Sequence, residues 1–402
     1  MKKRGGFRKI RGIGCRVLAF MLCMILVLNL CGCWSRRELN TLAIVMGTAL
    51  DVGSTPDTFE LTAQIVKAGE LKSGTSSTSS SSAVKAYSNV GNTGKSVLSI
   101  LRSITHVSSR RLYFPHNQIL IFSSELAELD IMEGLDAFLR DFEARLNVYI
   151  LISKGKASDI LDAACELEKI PSIHISEMIE NQKSNSEIAI VTLRDFAIAM
   201  LSGSKAPVAP IIKQYEEGGN KKSKLEGTAV FNKKGKMVGE LDNTQTRGFM
   251  WITGNARSGV TTVDTKWGWV VLEIMHSKSR LRPVKMEDGS IRMKLEINTD
   301  GIIESNETYK DMSGMDKVNM LKKLEREVIR SDVENSLKQA KLLSADVFGF
   351  GEAIRRQYPE DWKKMEKNWD HFFQEIGLDV QVEVELRSTG GLTKPVVPGG
   401  AA

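Results

Sequence analysis

A chain of 402 residues with 42% hydrophobic and 26% charged side chains has the composition of an ordinary globular protein, long enough for two or three domains. Its formal net charge of +6 is confined to one end: residues 1–32 hold seven bases and no acid, which leaves 48 bases against 49 acids in the remainder. That distribution excludes a globally basic, phosphate-tracking surface, and no nucleic-acid partner is expected.

The basic start (Lys2, Lys3, Arg4, Arg8, Lys9, Arg11, Arg16) runs into an apolar stretch at residues 17–30. That length falls short of the roughly 20 residues a spanning helix needs, so residues 1–32 read as a cleaved secretory signal. No later stretch is apolar enough to span. In Leu30-Cys31-Gly32-Cys33 a small glycine precedes the second cysteine and a leucine lies three residues upstream. This resembles the lipobox read by the bacterial lipoprotein signal peptidase. Cys33 is therefore the expected lipid-attachment site and first residue of the mature chain. Arg36 and Arg37 either meet anionic headgroups or pair with Glu38 and other acids. Cys15, Cys23 and Cys31 leave with the signal and Cys33 is consumed by lipid, so Cys165 remains alone and no intrachain disulfide is expected.

Residues 42–50 and 59–65 predict two strands of a hairpin turning through Gly53-Ser54-Thr55-Pro56-Asp57. Residues 73–82, almost all serine and threonine, predict an exposed loop. Helical spacing follows at Val97, Ile100, Leu101 and Ile104 and again at Ile131, Leu135, Phe138, Leu139 and Phe142, with short strands at 118–122 and 148–152. These make a first α+β domain over 34–155. Residues 156–215 read as a mainly helical domain or extension, with Ile160, Leu161, Ala164 and Leu167 on one face and Pro171, Pro207 and Pro210 as punctuation. The polar stretch 216–224 predicts a linker or exposed turn.

Strands resume at 229–231 and 237–238 around a turn at Asn232-Lys233-Lys234-Gly235, and 269–275 is apolar. Ile291, Met293, Leu295 and Ile297 alternate with polar residues, which predicts a strand with one covered face. A long helix carries Val318, Leu321, Leu324, Val328, Val333 and Leu337 as its apolar stripe. Another starts near Pro359 and buries Trp362, Met365, Trp369, Phe372 and Ile376, a stripe whose spacing marks core rather than a docking face. Alternating residues 380–386 form a last strand. The whole is a multidomain α+β protein with mixed or antiparallel sheets flanked by α-helices, its C-terminal α+β domain spanning 222–390.

His106, His116, His174, His276 and His371 lack metal-ligand spacing, and no Gly-x-Ser-x-Gly, phosphate loop, His-Glu-x-x-His or Ser-x-x-Lys occurs. No catalytic, metal or cofactor site is expected, so the chain reads as a noncatalytic protein that acts by binding.

The stretch Cys33-Trp34-Ser35-Arg36-Arg37-Glu38-Leu39-Asn40, followed by Leu42-Ala43-Ile44-Val45, resembles the start of mature Ger(x)C lipoproteins, the C subunits of GerA-type spore germinant receptors. The likeness recurs at Arg110-Arg111-Leu112-Tyr113-Phe114, at Thr246-Arg247-Gly248-Phe249-Met250-Trp251 and at Asp346-Val347-Phe348-Gly349-Phe350-Gly351-Glu352, with Pro115 where the family pattern has glycine. The resemblance implies three domains, each a sheet flanked by helices. It also implies a nutrient germinant receptor in the spore inner membrane, where this chain would be lipid-anchored on the extracytoplasmic face beside an integral-membrane A subunit and a transporter-like B subunit. The competing expectation is an extracytoplasmic solute-binding lipoprotein of a nutrient transporter, which would repeat strand–helix–strand units around a cleft.

Overall fold

The structure, a computed structural model, describes residues 18–22, 24, 41–71, 85–140, 145–306 and 314–387. The chain divides into a short unit, Met1–Ala43, and a large one, Ile44–Ala402. In the short unit residues 18–22 and 24 are helical.

Among the described residues there are two sheets. The first is nine-stranded: β1 (Leu42–Val52), β2 (Phe59–Val66), β3 (Tyr87–Gly94), β4 (Arg111–Tyr113), β5 (Ile119–Ser123), β6 (Tyr149–Lys154), β7 (Val208–Glu217), β8 (Asn220–Phe231) and β9 (Met237–Leu241). They lie in the order β3-β2-β1-β5-β6-β7-β8-β9, with β4 pairing β1. The run from β1 to β7 is parallel, and both ends are antiparallel hairpins. Its helices are α1 (Ala68–Leu71), α2 (Val97–Ile104), α3 (Ser124–Leu129), α4 (Met132–Arg140), α5 (Ala157–Ile160), α6 (Pro171–Asn181) and α7 (Leu193–Leu201). All five residues of β5 are buried because the sheet is covered on both sides. Ile119 and Ile121 share a core with Ala157, Ile160, Leu161, Ile175 and Ile179. On the opposite face Gly134 of α4 comes close enough to Leu50 and Phe122 that an added Cβ would lie 3.0 Å from each.

The second sheet, β10 (Gly259–Thr265), β11 (Gly268–Lys285), β12 (Ile291–Asn306) and β13 (Leu378–Arg387), is antiparallel except for the parallel pair β12–β13. That pair is joined by the crossover α9 (Met315–Leu342), α10 (Phe350–Gln357), α11 (Pro359–Met365) and α12 (Trp369–Glu375), while α8 (Asn243–Thr253) lies between the two sheets in sequence. The result is a pair of mixed sheets with flanking helices, an α+β architecture as expected.

The expected domain edges fall within the first sheet. Residues 155–156 form the turn from β6 into α5, and the helical stretch after it covers the sheet face rather than building a separate core. The polar stretch 216–224 is the tip of the β7–β8 hairpin, where Gly218 and Gly219 supply φ of +59° and +77°. Pro210 lies inside a central strand that its missing N–H would ordinarily disfavour, and the register shifts between Pro210 and Ile212 to accommodate it. In the final helical segment, a 3₁₀ turn at Glu366–Asn368 separates α11 from α12. The change of period moves the buried position to Phe373, so Phe372 is only half-buried.

Candidate functional site

The three internal motifs fasten the large unit together. At Arg110-Arg111-Leu112-Tyr113-Phe114 the arginines are exposed, while Leu112 and Phe114 are buried, the latter edge-on to Phe138 with centroids 6.2 Å apart. Pro115 occupies the second position of a turn closed by the Asn117 N–H donating to the Phe114 carbonyl at 2.8 Å. A proline fits there because its fixed φ suits that corner.

The second motif opens α8 behind a capping box made by Asp242 and Gln245. The buried Thr246 hydroxyl lies 3.1 Å from that of Thr228 and 3.3 Å from the Leu241 carbonyl. Arg247 grips Asp332 of α9 bidentately, with Nε donating to Oδ2 at 2.6 Å and Nη2 to Oδ1 at 3.1 Å. Burial pushes the Asp332 carboxyl above its ordinary range, and the guanidinium opposes that shift. Gly248 makes the approach possible, since a Cβ there would lie 2.0 Å from the Asp332 carbonyl oxygen. Phe249 stacks toward Phe348 at 6.2 Å, and Trp251 is wholly buried.

The third motif caps α10. Asp346 Oδ1 accepts from the Gly349 and Phe350 N–H groups at 2.8 and 3.0 Å, and Oδ2 accepts from Gly351 N–H at 2.9 Å. Gly349 takes a φ of +80°, and Gly351 sits against Ser204, Trp369 and Trp362 with no room for a Cβ. The Asp346 carbonyl accepts from Ala206 N–H at 2.8 Å, which ties this turn to the strand segment leading into β7. Nearby, the Lys233 ammonium donates to the carbonyls of Ser202 at 2.8 Å, of Ala199 at 3.4 Å and of Lys205, closing the C-terminal end of α7. Burial lowers its pKa to about 8.

The buried stripe of α9 includes polar residues absent from the apolar stripe expected of it. Leu321, Glu325, Ile329, Asp332, Val333, Ser336 and Ala340 face inward, while Leu324, Val328 and Leu337 are only half-buried. Glu325 is 0% exposed, neither carboxylate oxygen has a partner among the described residues, and burial raises its pKa to about 7. A group that holds its proton more tightly folded than unfolded weakens the fold as pH rises. Stability should therefore decline between the ordinary glutamate pKa of 4.5 and about 7, then stay lower. The expected loss from this residue is about 3 kcal/mol. Urea unfolding of Glu325→Gln should lack that decline, and an unchanged pH profile would contradict it.

Exposed apolar side chains also mark the β10–β11 turn and its strands. Trp267 and Trp269 are 37% and 57% exposed, with Val260, Met275 and, at the start of α9, Met315 also exposed. The Lys266 and Lys317 ammonium groups lie 4.5 and 5.5 Å from the Trp267 ring centroid. Such patches mark contact surfaces. The signal in the sequence is two tryptophans flanking a turn glycine, which the apolar run 269–275 disguised as core.

Cys33, Arg36 and Arg37 lie outside the described residues. The structure does not bring the five histidines together, and among the described residues no three His, Cys, Asp or Glu side chains form a metal-binding group. Cys165 carries a free thiol that contacts the Glu168 carbonyl at 2.8 Å, and burial raises its pKa.

Two sheets with flanking helices, fastened by buried polar clasps, define an α+β scaffold with an exposed aromatic corner at Trp267 and Trp269. Residues 35–214 match the family described as the spore germination protein N-terminal domain, and residues 226–390 match the spore germination B3/GerAC-like C-terminal domain. The chain belongs to the GerAC family of spore germination proteins. It is 27% identical to spore germination protein KC of Bacillus subtilis (strain 168), over 95% of this chain and 97% of that one. It is 29% identical to that organism's spore germination protein YndF over 92% and 96%, and 24% identical to its spore germination protein B3 over 93% and 98%. The crystal structure of the GerBC protein shares the fold at a TM-score of 0.55 and 19% identity, covering 85% of this chain and 98% of that one.

Proposed function

We propose that this chain is the lipid-anchored C subunit of a nutrient germinant receptor, held by a diacylglyceryl thioether on Cys33 at the extracytoplasmic face of the spore inner membrane. It acts there without catalysis, through association with integral-membrane A and B subunits. The observation that carries this reading is the extent of the family match, which starts two residues after Cys33 and continues to residue 390. Relatives named spore germination proteins KC, B3 and A3 align over nearly their whole lengths. Nothing in these relatives supports the solute-binding alternative.

Among the described residues no helix is long and apolar enough to cross a membrane, so attachment in this reading falls to the lipid. Two acyl chains meet the two-signal requirement for stable anchoring, each buried methylene contributing about 0.8 kcal/mol. A protein that binds one receptor state better than another shifts the equilibrium by that difference in affinity, and confinement near its partners raises the effective concentration. The exposed Trp267–Trp269 corner is the surface this reading offers to a partner subunit. Cys33→Ala should leave unlipidated precursor with its signal attached. Mass spectrometry that found unmodified Cys33 inside a mature peptide would contradict the anchor.

A further inference from the structure

The long helix α9 is held in two different ways along its length. Its second half carries specific polar ties: Arg247 grips Asp332, Gln339 Nε2 donates to the Glu240 carbonyl at 3.1 Å, and Lys341 Nζ donates to the Ile376 carbonyl at 2.7 Å. Among the described residues, positions 318–330 make no hydrogen bond or ion pair to another element. The bond from Arg326 Nε to the Lys322 carbonyl and the Lys323–Glu327 pair stay within the helix. What holds this first half is apolar burial, with Leu321 packed among Val263, Val270, Leu272 and Ile303 of the second sheet.

Glu325 lies in the middle of that contact, one turn after Leu321 and one before Ile329, wholly buried and without a partner for either oxygen among the described residues. The packed helix accommodates the neutral acid, whereas the carboxylate needs water or a partner that this layer does not give it. The charged groups around it are engaged elsewhere. Lys322 and Arg326 of the same helix line an open groove with Glu383 and Glu385 of β13. His276 and Arg387 face Asp300, at 3.4 and 3.7 Å, and Asp264 of β10 is exposed. Arg247 of α8 is committed to Asp332, while Glu240 of β9 and His371 and Glu375 of α12 belong to elements that meet α9 at its other end. Burial is the one cause of the shift in the Glu325 carboxyl.

We propose that the first half of α9, residues 315–329, is a pH-gated flap that detaches from the second sheet when Glu325 ionises, while the half beyond Asp332 stays clamped. The detached form is a minor one whose population rises with pH, because a carboxyl that binds its proton more tightly when packed than when solvated favours the solvated form as protons become scarce. Detachment uncovers Val263, Val270, Leu272 and Ile303. Val270 follows Trp269 in β11, and Lys317 at the start of the helix lies over the Trp267 ring, so the exposed aromatic corner grows. The motion needs neither the membrane anchor nor a receptor assembly.

The test is hydrogen–deuterium exchange of the intact chain at pH 6 and pH 8, with rates corrected for the intrinsic effect of pH. Helices shorter than about 15 residues are marginal in water, so the detached segment loses its amide protection. Peptides within 318–329 should be less protected than those within 333–342 at both pH values, and low urea should leave their exchange unchanged, as a local opening requires. Their corrected rate should rise about tenfold from pH 6 to pH 8, the ratio for a carboxyl whose pKa falls from about 7 to its ordinary 4.5 on detachment. Glu325→Gln should remove that rise, and His276→Gln should keep it, which separates Glu325 from the histidine that titrates nearby. If Glu325→Gln folds poorly, the two halves of the wild-type helix still decide the matter. Equal protection of both halves, a corrected rate in the first half that ignores pH, or the same rise in folded Glu325→Gln would overturn the proposal.

Discussion

Asp346→Ala is expected to destabilise the protein by about 4 kcal/mol, because two buried N–H groups and one part-buried one lose their acceptor at once and each orphaned donor costs about 1–3 kcal/mol. The carboxylate bonds Gly349, Phe350 and Gly351 across its two oxygens and fixes the left-handed Gly349 at the entry to α10. A side chain that merely filled space would give a far smaller loss. Asp346→Asn separates the two roles, since its amide oxygen can keep the Gly349 and Phe350 bonds while its NH₂ faces the Gly351 N–H. It should fall between wild type and alanine. The readout is the urea midpoint at unchanged slope. Trp362 and Trp369 pack against Gly351, so their fluorescence should follow the same transition. An Asp346→Ala variant within 1 kcal/mol of wild type would contradict the role assigned to this motif.

Gly248→Ala should be the next most damaging change, at about 3 kcal/mol. The added methyl would meet the Asp332 carbonyl oxygen at 2.0 Å, its carbonyl carbon at 2.6 Å and Ser336 Cβ at 2.7 Å. These are atoms of a facing helix that cannot rotate aside as the end of a side chain can. Relief requires α8 and α9 to separate, and separation loosens the bidentate Arg247–Asp332 pair, which leaves charge buried with a poorer partner. Gly203→Ala is the control, for its Cβ meets only a Glu366 oxygen at 3.8 Å and should change stability by less than about 0.5 kcal/mol. Equal midpoints for the two alanine variants would contradict the close helix crossing.

Apolar spacing revealed where α9 would form but only part of the face it would bury. Of the stripe drawn through Val318, Leu321, Leu324, Val328, Val333 and Leu337, Leu321 and Val333 are buried, while the others are half-buried because Glu325, Asp332 and Ser336 occupy inward positions. Sorting residues by hydrophobicity discards such groups, although their three-, four- and seven-residue spacing from Leu321 and Ile329 was present in the sequence. The β3 strand, Tyr87–Gly94, gave no alternation because it is a polar edge. Pro210 argued against a strand that survives through a bulge. The motifs around Gly248 and Gly349 were visible as words, but their meaning depends on contacts 85 residues apart in one case and on a local carboxylate cap in the other.

The measurement that bears most directly on the receptor reading is the germination of spores lacking this protein, followed by loss of optical density after addition of single nutrients and, separately, of nonnutrient triggers. The nutrient response through one receptor should be abolished or slowed, the nonnutrient response should remain largely intact, and the wild-type chain should restore the loss. Spores that answer every nutrient normally, with no redundant receptor present, would contradict it.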